Sequence, residues 1–147
     1  MPGKIVVGSD HAGIALRAAA AGTAAEVGFE VEDAGPRPGE KADYPDQARL
    51  VAEAVAAGRA RFGILVCGTG IGMSISANKV RGIRAAVCTT EFEARMARAH
   101  NDANVLCLGE RVIGSGVCDG IVRAFLATAF EGGRHALRVQ KIGELEG

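Results

Sequence analysis

The short segment Phe62 to Lys79 combines a thiol with a glycine-rich turn. An apolar run, FGILV, ends at Cys67, and Gly68, Gly70 and Gly72 follow before a helical segment. A strand that passes through such a turn into a helix exposes backbone N–H groups, which can bind an anion. The same N–H groups favour a thiolate at Cys67, which could act as a nucleophile or as a base. The alternative is that Cys67 is a structural cysteine, which is the commoner case for a single cysteine.

Asp10 and His11 directly follow the first apolar run, KIVVGS. Ligands of open α/β sheets bind at the carboxyl ends of the strands, so these two side chains and Cys67 are expected at one edge. The alternative is that Asp10 and His11 only cap the helix that follows them.

Two other polar groups lie later in the chain. His100, Asn101 and the adjacent aspartate occupy a helix end, where a C-cap is the alternative to catalysis. They precede the fifth predicted strand, so topology places them at the amino edge, and a catalytic role would require another subunit. Arg134 and Arg138 are four residues apart on one helix face, where a bound dianion would relieve their repulsion. A solvated helix face is the alternative for this pair.

Apolar runs alternate with helical patterns along the whole chain, which predicts a three-layer doubly wound (Rossmann-like) α/β fold with a five-stranded parallel sheet. We expect one domain over residues 1–147, with an extra C-terminal helix in residues 131–147 that packs on a partner subunit. The predicted strands are 4–9, 29–34, 62–67, 83–88 and 105–108. The predicted helices are 14–27, 45–58, 72–80, 91–100, 114–130 and 134–146.

Composition excludes several classes of function. The 147 residues are 48% hydrophobic and 4% aromatic, with 17 basic and 17 acidic side chains. A balanced charge does not favour nucleic acid or a membrane surface as partner. We find no apolar stretch of membrane-spanning length and no signal peptide, so a cytoplasmic location is expected. The four cysteines are too widely spaced for structural zinc or a disulfide framework, and three are expected to be buried and structural.

A dinucleotide site is disfavoured by the first turn. Such a site needs G-x-G-x-x-G after the first strand and an acidic residue at the end of the second. Asp33 could be the acidic residue, but the turn reads GSDHAG, and its aspartate would face a pyrophosphate.

Six motifs in order make the sequence resemble type B ribose-5-phosphate isomerase, the family that includes galactose-6-phosphate and allose-6-phosphate isomerases. The resemblance covers nearly the whole chain. The motifs are GSDHAG (8–13), DYP (43–45), CGTGIGMSISANK (67–79), GIRAAVC (82–88), HNDANVLCLGER (100–111) and EGGRHALRVQKI (131–142).

The resemblance implies interconversion of D-ribose 5-phosphate and D-ribulose 5-phosphate, a step of pentose phosphate metabolism, without metal or cofactor. It also implies a homodimer or dimer of dimers with active sites shared between subunits. Cys67 matches the base that moves a proton between C2 and C1 through a cis-enediolate. One branch of the family uses a glutamate a few residues downstream, where this chain has Met73, so the cysteine branch is favoured.

The remaining roles are also carried over by resemblance. Thr69 would assist proton handling, and His100 would open the sugar ring with Asp10 as helper. The expected enediolate hole is formed by the N–H groups of Gly70, Ile71 and Gly72. The other expected substrate contacts are Asp10, Tyr44, Gly68, Thr69, Asn101 and Arg111, with a phosphate clamp of His11, Arg134 and Arg138.

Two other functions remain open from the sequence. The first keeps the chemistry but acts on another sugar, either a six-carbon phosphate such as allose or galactose 6-phosphate, or a four-carbon phosphate. The second is a non-catalytic module that binds a nucleotide or flavin.

Overall fold

A computed structural model describes residues 2–147. Five parallel strands form one sheet in the order β2-β1-β3-β5-β4, and helices follow each strand, which confirms the predicted fold class. The strands are β1 (Lys4–Ser9), β2 (Glu30–Asp33), β3 (Phe62–Cys67), β4 (Ala85–Val87) and β5 (Val105–Gly109). The helices are α1 (Ile14–Val27), α2 (Tyr44–Ala56), α3 (Ile71–Ala77), α4 (Glu91–Asn101), α5 (Ser115–Ala127) and α6 (Arg134–Glu144).

Two apolar layers cover the two faces of the sheet. Side chains alternate between the faces of a strand, and β3 shows this directly. Ile64 and Val66 pack with α1, α4 and α5 on one face. Leu65 and Cys67 pack with α2 and α3 on the other face. Because β3 is buried along its whole length, its carboxyl end is held firmly at the centre of the sheet.

The element boundaries differ from prediction by a few residues, most clearly at the end of α5. This helix ends at Ala127 rather than at residue 130, and Thr128 has extended backbone angles. The Thr128 carbonyl accepts a hydrogen bond from Arg98 Nε at 3.3 Å, and its hydroxyl donates to the Ala124 carbonyl at 2.7 Å. These side-chain bonds satisfy helix-end groups that another turn would have used.

The strand order explains where a cleft forms. The helices after β1 and β3 leave the sheet on opposite faces, so the carboxyl ends of these neighbouring strands are left uncovered. This is the position where doubly wound sheets bind ligands. None of the helices in residues 2–147 has the length and apolar character needed to cross a membrane.

Candidate active site

Cys67 is the last residue of β3, and its sulfur accepts a hydrogen bond from the turn that follows. The donor is the Gly70 N–H, at 3.2 Å from Sγ. Gly70 has φ +81°, which favours glycine, and a Cβ there would lie 3.0 Å from the Leu108 carbonyl carbon. A backbone donor fixed on the sulfur stabilises negative charge there more than it stabilises the neutral thiol. The turn therefore fixes a backbone donor on a cysteine that lines the open cleft.

The N–H groups of the turn are partly used within the chain. Gly70 donates to the sulfur, and Ile71 N donates to Thr69 Oγ1 at 3.2 Å. Helix α3 begins at Ile71, and its first intrahelical acceptor is the Gly70 carbonyl, bonded to Ser74 N. The Gly72 N–H in the first turn thus has no carbonyl partner within α3. An oxyanion bound here would share the Gly70 N–H with the Cys67 sulfur, and it would compete with Thr69 Oγ1 for the Ile71 N–H.

The loop after β5 is fastened to this turn. Glu110 N donates to the Cys67 carbonyl at 2.9 Å, and Arg111 N donates to the Gly68 carbonyl at 3.0 Å. These bonds lay the Arg111 side chain over Gly68, where a Cβ would meet the guanidinium at 3.5 Å. The Glu110 carboxylate also accepts from Leu16 N at 2.8 Å, in the first turn of α1. Sequence reasoning missed this role of Glu110, although the residue lies within a matched motif.

Asp10 lies at the same edge, after β1. Its carboxylate accepts from Ala12 N at 2.9 Å, so it forms a turn at the start of α1 and also faces the cleft. The exposed His11 has Nδ1 at 3.2 Å from the Ala42 carbonyl oxygen. A carbonyl can only accept, so Nδ1 carries the proton in this contact and Nε2 is left for a ligand. Asp33, by contrast, pairs with the buried Arg17 at 3.3 Å and has a structural role.

Tyr44 forms one wall of the cleft and packs directly on Gly72. A Cβ on Gly72 would lie 2.6 Å from Tyr44 Cε1, so glycine at this position is needed for the close approach. Met73 is completely buried on the other side of α3. The cleft has a volume of about 440 Å³ and is lined by Asp10, Tyr44, Cys67, Gly68, Thr69, Ile71, Gly72, Ile75 and Arg111.

The other three cysteines are buried thiols, as expected. Burial raises the pKa of Cys88 to about 12 and that of Cys118 to about 11. Burial also raises the pKa of Cys107 well above its usual range. These three side chains remain protonated at neutral pH. Cys67 differs from them because its sulfur accepts the Gly70 N–H and because it lines the cleft.

The predicted residues His100, Asn101, Arg134 and Arg138 lie at the opposite edge of the sheet. His100 and Asn101 end α4, just before β5 begins at Val105, and Cys67 pairs with Gly109 at the far end of β5. Four strand residues span about 13 Å, at roughly 3.3 Å each. Within one chain, the structure therefore does not bring these groups together with Cys67.

His100 lies against the start of α6. Its ring stacks on the His135 ring with centroids 4.2 Å apart and an interplanar angle of 10°. Glu131 Oε1 lies 3.8 Å from His100 Nε2 and 3.6 Å from His135 Nε2. Burial, together with the nearby charges of His100 and Arg134, lowers the pKa of His135, although Glu131 opposes this effect. These effects disfavour the protonated form of His135.

Arg134 and Arg138 project from the exposed face of α6. Among residues 2–147, no carboxylate oxygen lies within 4.0 Å of either guanidinium. Asn101 is also exposed and borders a groove that runs towards Ile142 at the end of α6. Asp102 instead caps α4 and pairs with Arg98 at 2.9 Å, which makes it structural.

Comparisons with known proteins agree on one family. A family model described as Ribose/Galactose Isomerase matches residues 5–142. Ribose-5-phosphate isomerase B of Escherichia coli (strain K12) is 48% identical over 143 residues, which cover 97% of this chain and 96% of that protein. D-erythrulose-4-phosphate isomerase of Pectobacterium atrosepticum is 46% identical over 97% of this chain and 95% of its own. The solved structure of Clostridium thermocellum ribose-5-phosphate isomerase B superposes with a TM-score of 0.94 at 55% identity, covering 97% of each chain.

Proposed function

The chain belongs to the ribose/galactose isomerase family and is a sugar-phosphate isomerase, and we propose that it interconverts D-ribose 5-phosphate and D-ribulose 5-phosphate. The observation that carries the proposal is the Cys67 sulfur, which accepts the Gly70 N–H at one wall of an open cleft. The similar proteins of Escherichia coli and Clostridium thermocellum bear the name of this activity.

In the proposed reaction, Cys67 acts as a base rather than as a nucleophile. Its thiolate takes the proton from C2 of the open-chain aldose, which leaves a cis-enediolate and a neutral thiol. The thiol then returns the proton to C1, while the hydroxyl proton on O2 passes to O1 with the help of the Thr69 hydroxyl. The product is the ketose, and the enzyme ends in its starting state. A base whose charged form is stabilised near neutral pH suits this exchange.

The charge that develops on the substrate oxygens needs donors. In the proposal these donors are the N–H groups of Gly70, Ile71 and Gly72. The Gly70 N–H is bonded to the sulfur, the Ile71 N–H is bonded to the Thr69 hydroxyl, and Thr69, Ile71 and Gly72 all line the cleft. Each donor aimed at a developing oxyanion stabilises the transition state by about 3–4 kcal/mol. As the proton moves to Cys67, its sulfur loses its charge and releases the Gly70 donor to the enediolate. This timing accounts for an N–H that is already bonded before substrate binds.

Ring opening is assigned to His100 of a second subunit, with Asp10 of the first subunit as helper. His100 is 37% exposed, and its Nε2 lies 3.8 Å from a Glu131 carboxylate oxygen, so in this proposal the ring nitrogen is accessible to the sugar ring oxygen of the other subunit's substrate. Asn101 of the same subunit would hold a sugar hydroxyl. Asp10 lines the cleft next to Cys67, so it faces the end of the sugar that reacts.

The phosphate is assigned to His11 together with Arg134 and Arg138 of the second subunit. The two guanidiniums lie one helical turn apart, and no carboxylate oxygen of residues 2–147 lies within 4.0 Å of either, an arrangement that suits paired bonds to a dianion. His11 is exposed and is not among the residues that line the thiol cleft, so in this proposal the phosphate is held apart from the reacting carbons. Binding energy from the remote phosphate then holds the open chain in place.

The shared site also requires an assembly, which we propose to be a homodimer or a dimer of dimers. Apolar side chains are exposed beside the cleft at Ile71 and Ile75, on α6 at Leu137, and directly after α6 at Leu145. Covering such surfaces with a second copy removes them from water. Packing of α6 on a partner would bring its two arginines towards the first subunit's cleft.

A substrate comparison tests the proposed sugar. The kcat/KM for ribose 5-phosphate should exceed the values for allose 6-phosphate, galactose 6-phosphate and erythrulose 4-phosphate. The last is the strongest competitor, because the Pectobacterium relative with that name is almost as similar as the Escherichia coli one. A higher kcat/KM for any other sugar would reassign the substrate and keep the chemistry. No isomerisation of any of them, with tight binding of a nucleotide or flavin, would favour the non-catalytic module.

Mixing two inactive variants tests the shared site. Equal amounts of Cys67→Ala and His100→Ala subunits, exchanged and reassembled, should recover about one quarter of the wild-type activity, since half of the symmetric pairs are mixed and each has one intact site. Failure to recover activity, after subunit exchange is confirmed by mass, would place both residues in the site of one chain.

A further inference from the structure

His100, Glu131 and His135 form a compact group of metal-binding side chains. One donor atom from each lies within 4.8 Å of the other two. The Glu131 oxygen is 3.8 Å from His100 Nε2 and 3.6 Å from His135 Nε2. His100 lies at the end of α4, Glu131 lies in the segment that precedes α6, and His135 lies in the first turn of α6.

The donor set selects the kind of ion. Two imidazole nitrogens with one carboxylate oxygen are typical ligands of zinc sites that keep a fourth position open. Bonds of about 2.0–2.1 Å in a tetrahedron require donor separations of about 3.3 Å. The Glu131 oxygen lies 3.6 Å from Nε2 of the largely buried His135, which exceeds this separation by about 0.3 Å. Mg²⁺ and Ca²⁺ prefer all-oxygen ligands, so the set disfavours them.

We propose that these three residues form an inhibitory binding site for a borderline-soft divalent cation such as Zn²⁺. Loading requires one ring to leave the stack, because a ligated metal lies in the plane of each imidazole. The His100 side chain is 37% exposed at the end of its helix and can turn, whereas His135 is 9% exposed and remains in place. Glu131, 58% exposed, then closes the site.

The consequence for activity rests on the proposed function, in which His100 is the ring-opening acid. A cation on Nε2 of His100 occupies the lone pair that would carry the transferred proton. The ion therefore does not take part in the isomerisation; it blocks the first step. Arg134 lies next to His135 and repels a cation, so the only acidic ligand, Glu131, becomes essential for binding.

Calorimetric titration of metal-free protein with Zn²⁺ tests the site without reference to activity. We expect one saturable site per chain, and no comparable binding of Mg²⁺. Glu131→Gln and His135→Phe should each weaken binding at least about tenfold, since even changes around a metal ligand cost ten- to a hundredfold. Glu144→Gln is the matched control, because it makes the same charge change on an exposed residue of α6 and should bind like wild type.

The same variants separate the two hypotheses. Zn²⁺ at micromolar concentration should inhibit wild type and Glu144→Gln reversibly, with recovery on chelation, and should inhibit Glu131→Gln at least tenfold less effectively. Absence of saturable binding, or binding equally tight in Glu131→Gln and His135→Phe, overturns the metal site and leaves the proposed function intact. Zn²⁺ binding that Glu131→Gln abolishes but that leaves wild-type activity unchanged supports the site and removes His100 from the acid role.

Discussion

The pair Cys67→Ala and Cys107→Ala distinguishes a catalytic thiol from a structural one. Both side chains are buried in the same apolar layer, with 5% and 0% exposure, and both lose one sulfur atom. They differ in surroundings, because Cys67 accepts the Gly70 N–H and opens on the cleft. Burial holds the pKa of Cys107 above its usual range, so that thiol has no charged form to offer at neutral pH.

The expected stability changes are alike and small. Loss of one buried heavy atom removes about 1 kcal/mol of transfer free energy, and a residual cavity adds to it, for a total of roughly 1–2 kcal/mol in each variant. In a domain of this size, each kcal/mol lowers Tm by about 2–4 °C. Thermal denaturation should therefore show similar decreases for Cys67→Ala and Cys107→Ala.

The expected activities differ strongly. Loss of a general base lowers kcat by about 10²–10⁴-fold, or roughly 2.7–5.5 kcal/mol of barrier, so only Cys67→Ala should show that decrease. Coupled assay of ribose 5-phosphate conversion measures kcat, and calorimetry should find sugar-phosphate binding retained in both variants. Near-wild-type kcat in Cys67→Ala would remove this residue from the base role. An equal decrease in Cys107→Ala would show that both substitutions act through packing.

Three further predictions concern the cleft, pH and thiol reactivity. Gly72→Ala places a Cβ 2.6 Å from Tyr44 Cε1 and should lower kcat/KM by about ten- to a hundredfold. Gly22→Ala is the control, because a Cβ at this position of α1 meets open space. It should leave kcat/KM unchanged and raise the free energy of unfolding, measured by chemical denaturation, by about 0.5–1 kcal/mol. Hydrogen bonds from the preceding threonines lower the pKa of Glu93 below its ordinary 4.5, so its stabilisation is present above that pH and is lost as pH falls through the folded-state value. The Tm difference between wild type and Glu93→Gln should accordingly close below pH 4.5, and a constant gap would contradict this. Iodoacetamide at mildly alkaline pH should modify Cys67 before the other three cysteines, with loss of activity, because burial raises the pKa of those three thiols. Peptide mass spectrometry measures the order in which the cysteines are modified, and earlier modification of any other cysteine would contradict this prediction.

The carboxyl-edge half of the candidate site could be predicted from the sequence. Short apolar runs in alternation with helices are enough to predict parallel strands, whose carboxyl ends share one edge. Asp10 and Cys67 follow two such runs directly, so their proximity depends only on the sheet being parallel. The structure confirms that both line one cleft.

Contacts between distant segments could not be predicted in the same way. Glu110 accepts from Leu16 N across 94 positions of sequence, and nothing near either residue indicates the partner. Helix α5 ends at Ala127 rather than at the predicted residue 130, where Arg98 Nε donates to the Thr128 carbonyl. This contact depends on how α4 packs against α5. The stack of His100 on His135 likewise depends on where α6 returns to the sheet.

The proposed division of the site between subunits rests on the parallel sheet together with the proposed role of His100. Residues that follow a strand, such as Cys67, lie at the carboxyl edge, and residues that precede one, such as His100, lie at the amino edge, about 13 Å away along β5. No rotation of side chains closes such a gap within a single chain. A twofold axis that faces the carboxyl edge of one copy towards the amino edge of the other completes two sites with one interface. Ile71 and Ile75 line the cleft while 56% and 58% exposed, so the surface that such a partner would cover includes two apolar side chains that the single chain leaves in water.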